Sequence, residues 1–75
     1  MNYAQGLDKL KSFIKATAYE QEFLRYDQLL RENIRNEQLF GSTEEYRNTR
    51  AQIIAQLNRL VHKIDGTKSF NDLCF

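Results

Sequence analysis

The apolar positions of the chain fall into three stripes of helical period, and the residues between them mark where each stripe begins and ends. Tyr3, Leu7, Leu10 and Ile14 recur at steps of 4, 3 and 4, with Phe13 alongside. Tyr19, Phe23, Tyr26, Leu30 and Ile34 follow at 4, 3, 4 and 4. Tyr46, Ile53, Leu57, Leu60 and Ile64 form the third, widened on one flank by Ile54 and Val61. Residues three and four apart share a helix face, so each stripe predicts an amphipathic helix with one apolar side. The spacing predicts an all-α fold: an antiparallel helical hairpin over about 17–40 and 43–64, an N-terminal helix over about 4–16 and a short C-terminal helical turn.

Helix breakers are few, with no Pro and three Gly. Gly41 and Gly66 each follow an apolar stripe and read as helix C-caps. Ser42 with Glu45 three residues on has the pattern of a capping box, which starts the third helix directly after Gly41. Glu44 and Glu45 in its first turn, with Arg59, His62 and Lys63 in its last, match the helix dipole. Thr17 with Glu20 is a second capping-box pattern. Either the chain bends just after Ala16, or one helix runs straight from Leu7 to Phe40. Ser69 with Asp72 opens a further short helix at the C-terminal end. Leu73, Cys74 and Phe75 then have little sequence left to bury them. We read 1–75 as a single helical interaction domain excised from a longer protein, the alternative being a terminal turn that docks on its own core.

A hairpin turning at Gly41-Ser42 pairs residues whose numbers add to about 83, because both helices advance equally from the turn. That register sets Leu30 against Ile53, Tyr26 against Leu57, Phe23 against Leu60 and Tyr19 against Ile64. Toward the turn it becomes polar, with Asn33 facing Arg50 and Glu37 facing Tyr46. A buried Arg is costly unless paired, so Asn33, Glu37 and Arg50 are expected to form one hydrogen-bonded layer. Each buried Leu, Ile or Phe contributes about 1.5–3 kcal/mol, against about 1–2 kcal/mol of backbone entropy per ordered residue. Two helices alone barely balance. Either the N-terminal segment closes a three-helix core over Leu24, Ile54 and Val61, or those side chains meet another chain.

Composition narrows the functional classes. Eleven Lys and Arg against ten Asp and Glu give a formal charge of +1, and no basic cluster marks a dedicated nucleic-acid binder. One cysteine, Cys74, forms no internal disulfide and no multi-Cys zinc site, and its reading is a small buried apolar residue. No apolar run has the length of a signal peptide or a membrane span. The expectation is a cytoplasmic protein with no membrane association. His62 lies opposite the third stripe with no ligand-spaced partner, and reads as solvated. No acid–base pair, nucleophile or phosphate loop stands out, so neither enzymatic activity nor a cofactor or metal is expected. Off-stripe positions remain for recognition: Leu24, Arg25, Leu29, Arg47, Ile54 and Val61 are the candidate protein contacts. The alternative is a small nucleic-acid-associated regulator using Lys9, Lys11, Lys15 and the Arg59–Lys63 end.

The run Leu29-Leu30-Arg31-Glu32-Asn33-Ile34-Arg35-Asn36-Glu37-Gln38-Leu39-Phe40-Gly41, followed by Glu45-Tyr46-Arg47-Asn48-Thr49-Arg50-Ala51-Gln52-Ile53-Ile54-Ala55-Gln56-Leu57, resembles a hairpin of known type. It is similar to that of the small helical effector-associated, death-domain-like adaptor modules of bacterial conflict proteins, which stand beside STAND-type NTPase, TIR or caspase-like domains. The resemblance covers about Tyr26 to Leu60, and departs from the pattern in its short Gly41-Ser42-Thr43 turn. It implies homotypic or cognate docking between helical domains, with a homo-oligomer as the expected assembly in bacterial immunity or programmed death. Any enzymatic effector would then lie on another domain.

Overall fold

Two helices of 21 residues each, α2 (Glu20–Phe40) and α3 (Glu44–Ile64), fold back on each other in the computed structural model, which describes residues 1–75. The preceding α1 (Tyr3–Ile14) packs on α2, and the single turn α4 (Phe70–Leu73) packs on α1 and α3. The fold is all-α, a helical hairpin with an N-terminal helix and a short C-terminal helical turn.

The core draws on every helix. Leu7, Leu10 and Ile14 come from α1, Phe23 and Leu30 from α2, Ile53, Leu57, Leu60 and Val61 from α3, and Phe70 with Cys74 from the C-terminal turn. Tyr3, Tyr19, Tyr26, Ile34, Ile54 and Ile64 are half-buried around it. The three apolar stripes therefore all face one interior. This is what a short chain requires, because two faces alone remove too little apolar surface from water.

The helix ends obey local chemistry. Gly41 takes φ +90°, a region that costs L-residues, and its N–H donates to the Glu37 carbonyl at 2.9 Å. The cap of α3 is Thr43 and not Ser42. Thr43 is extended, and its hydroxyl accepts from the Tyr46 N–H at 3.1 Å. Ser42 instead donates to Glu37 Oε2 and accepts from Arg47 across the turn. At the other end of α3 the chain turns at Asp65, whose carboxylate accepts from both the N–H and the hydroxyl of Thr67. Gly66 needs no positive φ there, because the Asx turn of Asp65 supplies the reversal. Ser69 and Asp72 close a reciprocal capping box on α4.

Helices α1 and α2 are separate. Ala16 sits at φ +64°, the one non-glycine residue with positive φ. The Thr17 hydroxyl donates to the Ile14 carbonyl at 2.6 Å and accepts from the Tyr19 N–H. Thr17 thus closes the end of α1 and does not cap α2, whose first turn follows Tyr19 without a side-chain cap. The bend brings α1 alongside α2, where Arg31 bonds Asp8 across the helices and Asp27 within its own, each at 2.9 Å.

The closure of α1 on α4 rests on a glycine. A Cβ placed on Gly6 would collide with Cys74 Sγ and lie 3.2 Å from the Phe70 ring. Only a bare backbone lets the two elements meet. The same contact carries a backbone bond from the Asn2 N–H to the Cys74 carbonyl at 2.9 Å, and a side-chain bond from Lys9 Nζ to the Phe75 carbonyl at 3.3 Å. Asn58 Oδ1 on α3 accepts the Asn71 N–H, fixing the turn from its other side.

Replacing Gly6 by Ala is expected to lower stability by about 1–3 kcal/mol despite the gain in helix propensity. Removing the Cys74 sulfur in a Gly6→Ala, Cys74→Ala double variant should recover part of that loss beyond additivity, as read by a thermal or urea double-mutant cycle. Ala16→Gly should act in the opposite sense, raising stability by about 0.5–1 kcal/mol in the same measurement, because the left-handed conformation costs glycine nothing.

Candidate functional site

Near the turn, the seam between α2 and α3 changes from apolar to polar. Arg50 reaches Glu37 with two parallel bonds, Nη1 to Oε1 at 2.8 Å and Nη2 to Oε2 at 3.0 Å. Both side chains are mostly withdrawn from water, at 18% and 23% exposure. Asn33 does not join that pair. Its Nδ2 donates to the Tyr46 carbonyl at 3.1 Å, and its buried Oδ1 has no hydrogen-bond partner.

The two polar contacts cross the hairpin diagonally, and helix geometry explains the exchange. Side chains lean toward the N-terminus of their own helix, so Arg50 leans toward the turn and meets Glu37. Helical carbonyls point the other way, so that of Tyr46 is directed back toward the level of Asn33. Asn33 and Tyr46 add to 79 and Glu37 and Arg50 to 87, which brackets the 83 of the hairpin register. Each pairing shifts one helical step from that register in opposite directions.

The hydrogen bonds from Arg50 hold the Glu37 carboxyl below its ordinary value of 4.5, against partial desolvation, with the Ser42 hydroxyl and the Arg47 charge adding to the effect. The Arg50 guanidinium is correspondingly raised. The Asp65 carboxyl is lowered by its bonds from Thr67. Burial pushes the Cys74 thiol up, which disfavours the reactive thiolate.

The off-stripe candidates separate into distinct environments. Arg25 and Leu29 lie exposed on α2, and Leu29 is 40% accessible. Leu24 is equally exposed, but five residues from Leu29 at 100° per residue it points to the other flank of α2. Arg47 is tied to Ser42 at the turn. Ile54 is half-buried against the core. Val61 is fully buried and is no contact residue. It lies three residues beyond Asn58, on the α3 face that α4 closes. The N-terminal and C-terminal elements together thus cover part of the flank that a two-helix unit leaves open.

Two further exposed apolar residues of α2 had no place among the sequence candidates. Leu39 is 67% and Phe40 71% accessible at the hairpin tip. Their signal was present: neither belongs to the 4, 3, 4, 4 stripe of α2, and both directly precede the turn glycine. Phe13 is also partly exposed, with the Lys68 ammonium 5.7 Å from its ring centroid.

Lys11 and Lys15 share a cleft with Asp8 and Glu20, so the charges along α1 are mixed. His62 is exposed at the end of α3. No three His, Cys, Asp or Glu side chains converge on a point that would hold a metal, and no helix is long and apolar enough to cross a membrane. Comparison with family models, with curated proteins and with solved structures gives no match for this chain.

Glu37→Ala should destabilise the fold more than Glu32→Ala, because it strands a mostly buried guanidinium while Glu32 is exposed and outside every ion pair. The lowered carboxyl also fixes a pH dependence. The stabilisation from Glu37 is complete above its unfolded value near 4.5 and fades as pH falls through the lower folded value. Urea unfolding followed from neutral pH to about pH 3 should therefore show a shallower acid loss in Glu37→Gln than in the parent protein.

Proposed function

We propose that this chain is a protein–protein interaction module that assembles or recruits other polypeptides through its helix faces and catalyses no reaction itself. The observation that carries this reading is the outer surface of α2. A core fed by all four helices still leaves Leu29, Leu39 and Phe40 of that one helix at 40–71% exposure from its middle to the hairpin tip, with Leu24 exposed on the opposite flank. Apolar side chains concentrated on one element of a small domain favour contact with another protein. Adaptor-type docking in bacterial immunity or programmed death, between copies or cognate helical domains, is the biological setting implied by the resemblance of the Tyr26–Leu60 hairpin. The reading places the protein in the cytoplasm.

Nucleic-acid binding is the weaker alternative. Two of its three α1 lysines share their cleft with carboxylates, and the third, Lys9, is bonded to the Phe75 carbonyl. A stacking platform would need several free aromatic faces in a row, whereas Tyr19, Phe23 and Tyr26 pack in or against the core and the exposed Phe13, Phe40 and Phe75 lie on separate elements.

Solution molar mass measured across concentration, with and without random-sequence DNA and RNA at low salt, tests the two. The proposal expects mass to rise with protein concentration, or on adding a cognate helical domain, with no effect of nucleic acid. A monomer that binds DNA or RNA with steep salt dependence would overturn it.

A further inference from the structure

One stripe of α2 faces solvent beside the hairpin seam. Glu22, Arg25, Leu29, Glu32, Asn36 and Phe40 follow each other at steps of 3, 4, 3, 4 and 4, so they lie along one side of the helix for about 27 Å. All are exposed except Asn36, which is half-buried. None takes part in an ion pair within the chain, the three such contacts being Arg31–Asp8, Arg31–Asp27 and Arg50–Glu37. An open cleft toward α3, lined by Leu29, Glu32, Asn36, Thr49 and Ile53 among others, runs beside it.

We propose that this stripe is a self-association surface that takes the same stripe of a second copy, antiparallel, with Leu29 of each chain at the two-fold axis. This deepens the assembly reading above and rests on it. The argument is the order of charges. Arg25 and Glu32 are seven residues apart, two turns on the same side of the helix, and Leu29 stands next to their midpoint. A second copy turned end for end about that midpoint sets Arg25 against Glu32 of its partner twice, once on each side of the axis. The same operation brings Glu22 opposite Asn36, whose amide donates to the carboxylate. It also carries Phe40 beyond the start of the partner's α2, over the exposed Thr17-Ala18 connection, where the small side chains leave room for the ring.

A parallel arrangement lacks this complementarity. It would stack Glu22 on Glu22, Arg25 on Arg25 and Glu32 on Glu32, each a like-charge contact. The antiparallel pairing is isologous and closes on itself, so it makes a dimer and not a filament. A single helix stripe buries less than the ~1,200 Å² of a tight interface. Association therefore falls in the micromolar-to-millimolar range and weakens with added salt.

Charge reversal with complementation tests the geometry. Arg25→Glu sets glutamate against glutamate and Glu32→Arg sets arginine against arginine at both central pairings, so each variant should remain monomeric where the parent dimerises, with at least ~10-fold weaker self-association. Mixed in equal amounts, the two should recover a heterodimer by sedimentation. Circular dichroism should show the parent's helicity in both, since the two side chains are exposed. A parent that stays monomeric up to about 1 mM at low salt overturns the inference. In that case the assembly reading passes to cognate partners and is judged by its own experiment. A parent that associates while both variants associate equally well refutes this surface and leaves the assembly reading standing.

Discussion

The fold depends on the meeting of α2 and α3 in a single register. Two helices of equal length, reversed at a glycine that alone tolerates φ +90°, can pair their apolar sides only one way without exposing a layer. The bidentate Arg50–Glu37 contact and the Asn33–Tyr46 bond sit at the end of the seam nearest the turn. A slip by one helical turn would leave Arg50 desolvated and unpaired, a cost larger than the loss of one apolar contact. Polar pairing thus discriminates between registers, while the apolar layers supply most of the stabilisation.

The hairpin was legible because its information is local or mirrored about the turn. Step patterns gave the helices, Gly41 gave the reversal, and equal advance from the turn gave the pairing. The bend between α1 and α2 was only half legible, since the residue in the left-handed region is Ala16, where a glycine would have announced the helix end. Ser42 and Thr43 both have capping chemistry. Which one caps was decided by Ser42 having carboxylate and guanidinium partners across the turn, and that competition is three-dimensional.

The closure of α1 against α4 was legible only in outline, as a terminal turn docking on its own core with Cys74 buried, and the partners it brings together were not. It joins Gly6 to Cys74 and Phe70, near opposite ends of the chain, and no periodicity links such positions. By helping to cover the Val61 flank of α3 it removes one of the surfaces a hairpin alone would offer, and leaves the exposed apolar residues of α2 and the hairpin tip to the docking proposed above. The sequence marked Leu24, Arg25 and Leu29 as outside the seam, but the separation of Leu24 from Leu29 onto opposite flanks mattered only once the neighbours of α2 were placed.

The backbone bond between Asn2 and Cys74 also sets how the molecule bears mechanical load. Tension drawn between the first and last residues acts across the junction of α1 with α4, where contacts break one after another as in unzipping. The long hairpin lies off that line of force. A pull on both ends would therefore peel away the flanking elements first, and because two helices alone barely balance, the hairpin stripped of that cover would open in turn, so the clasp of the two termini guards the whole core.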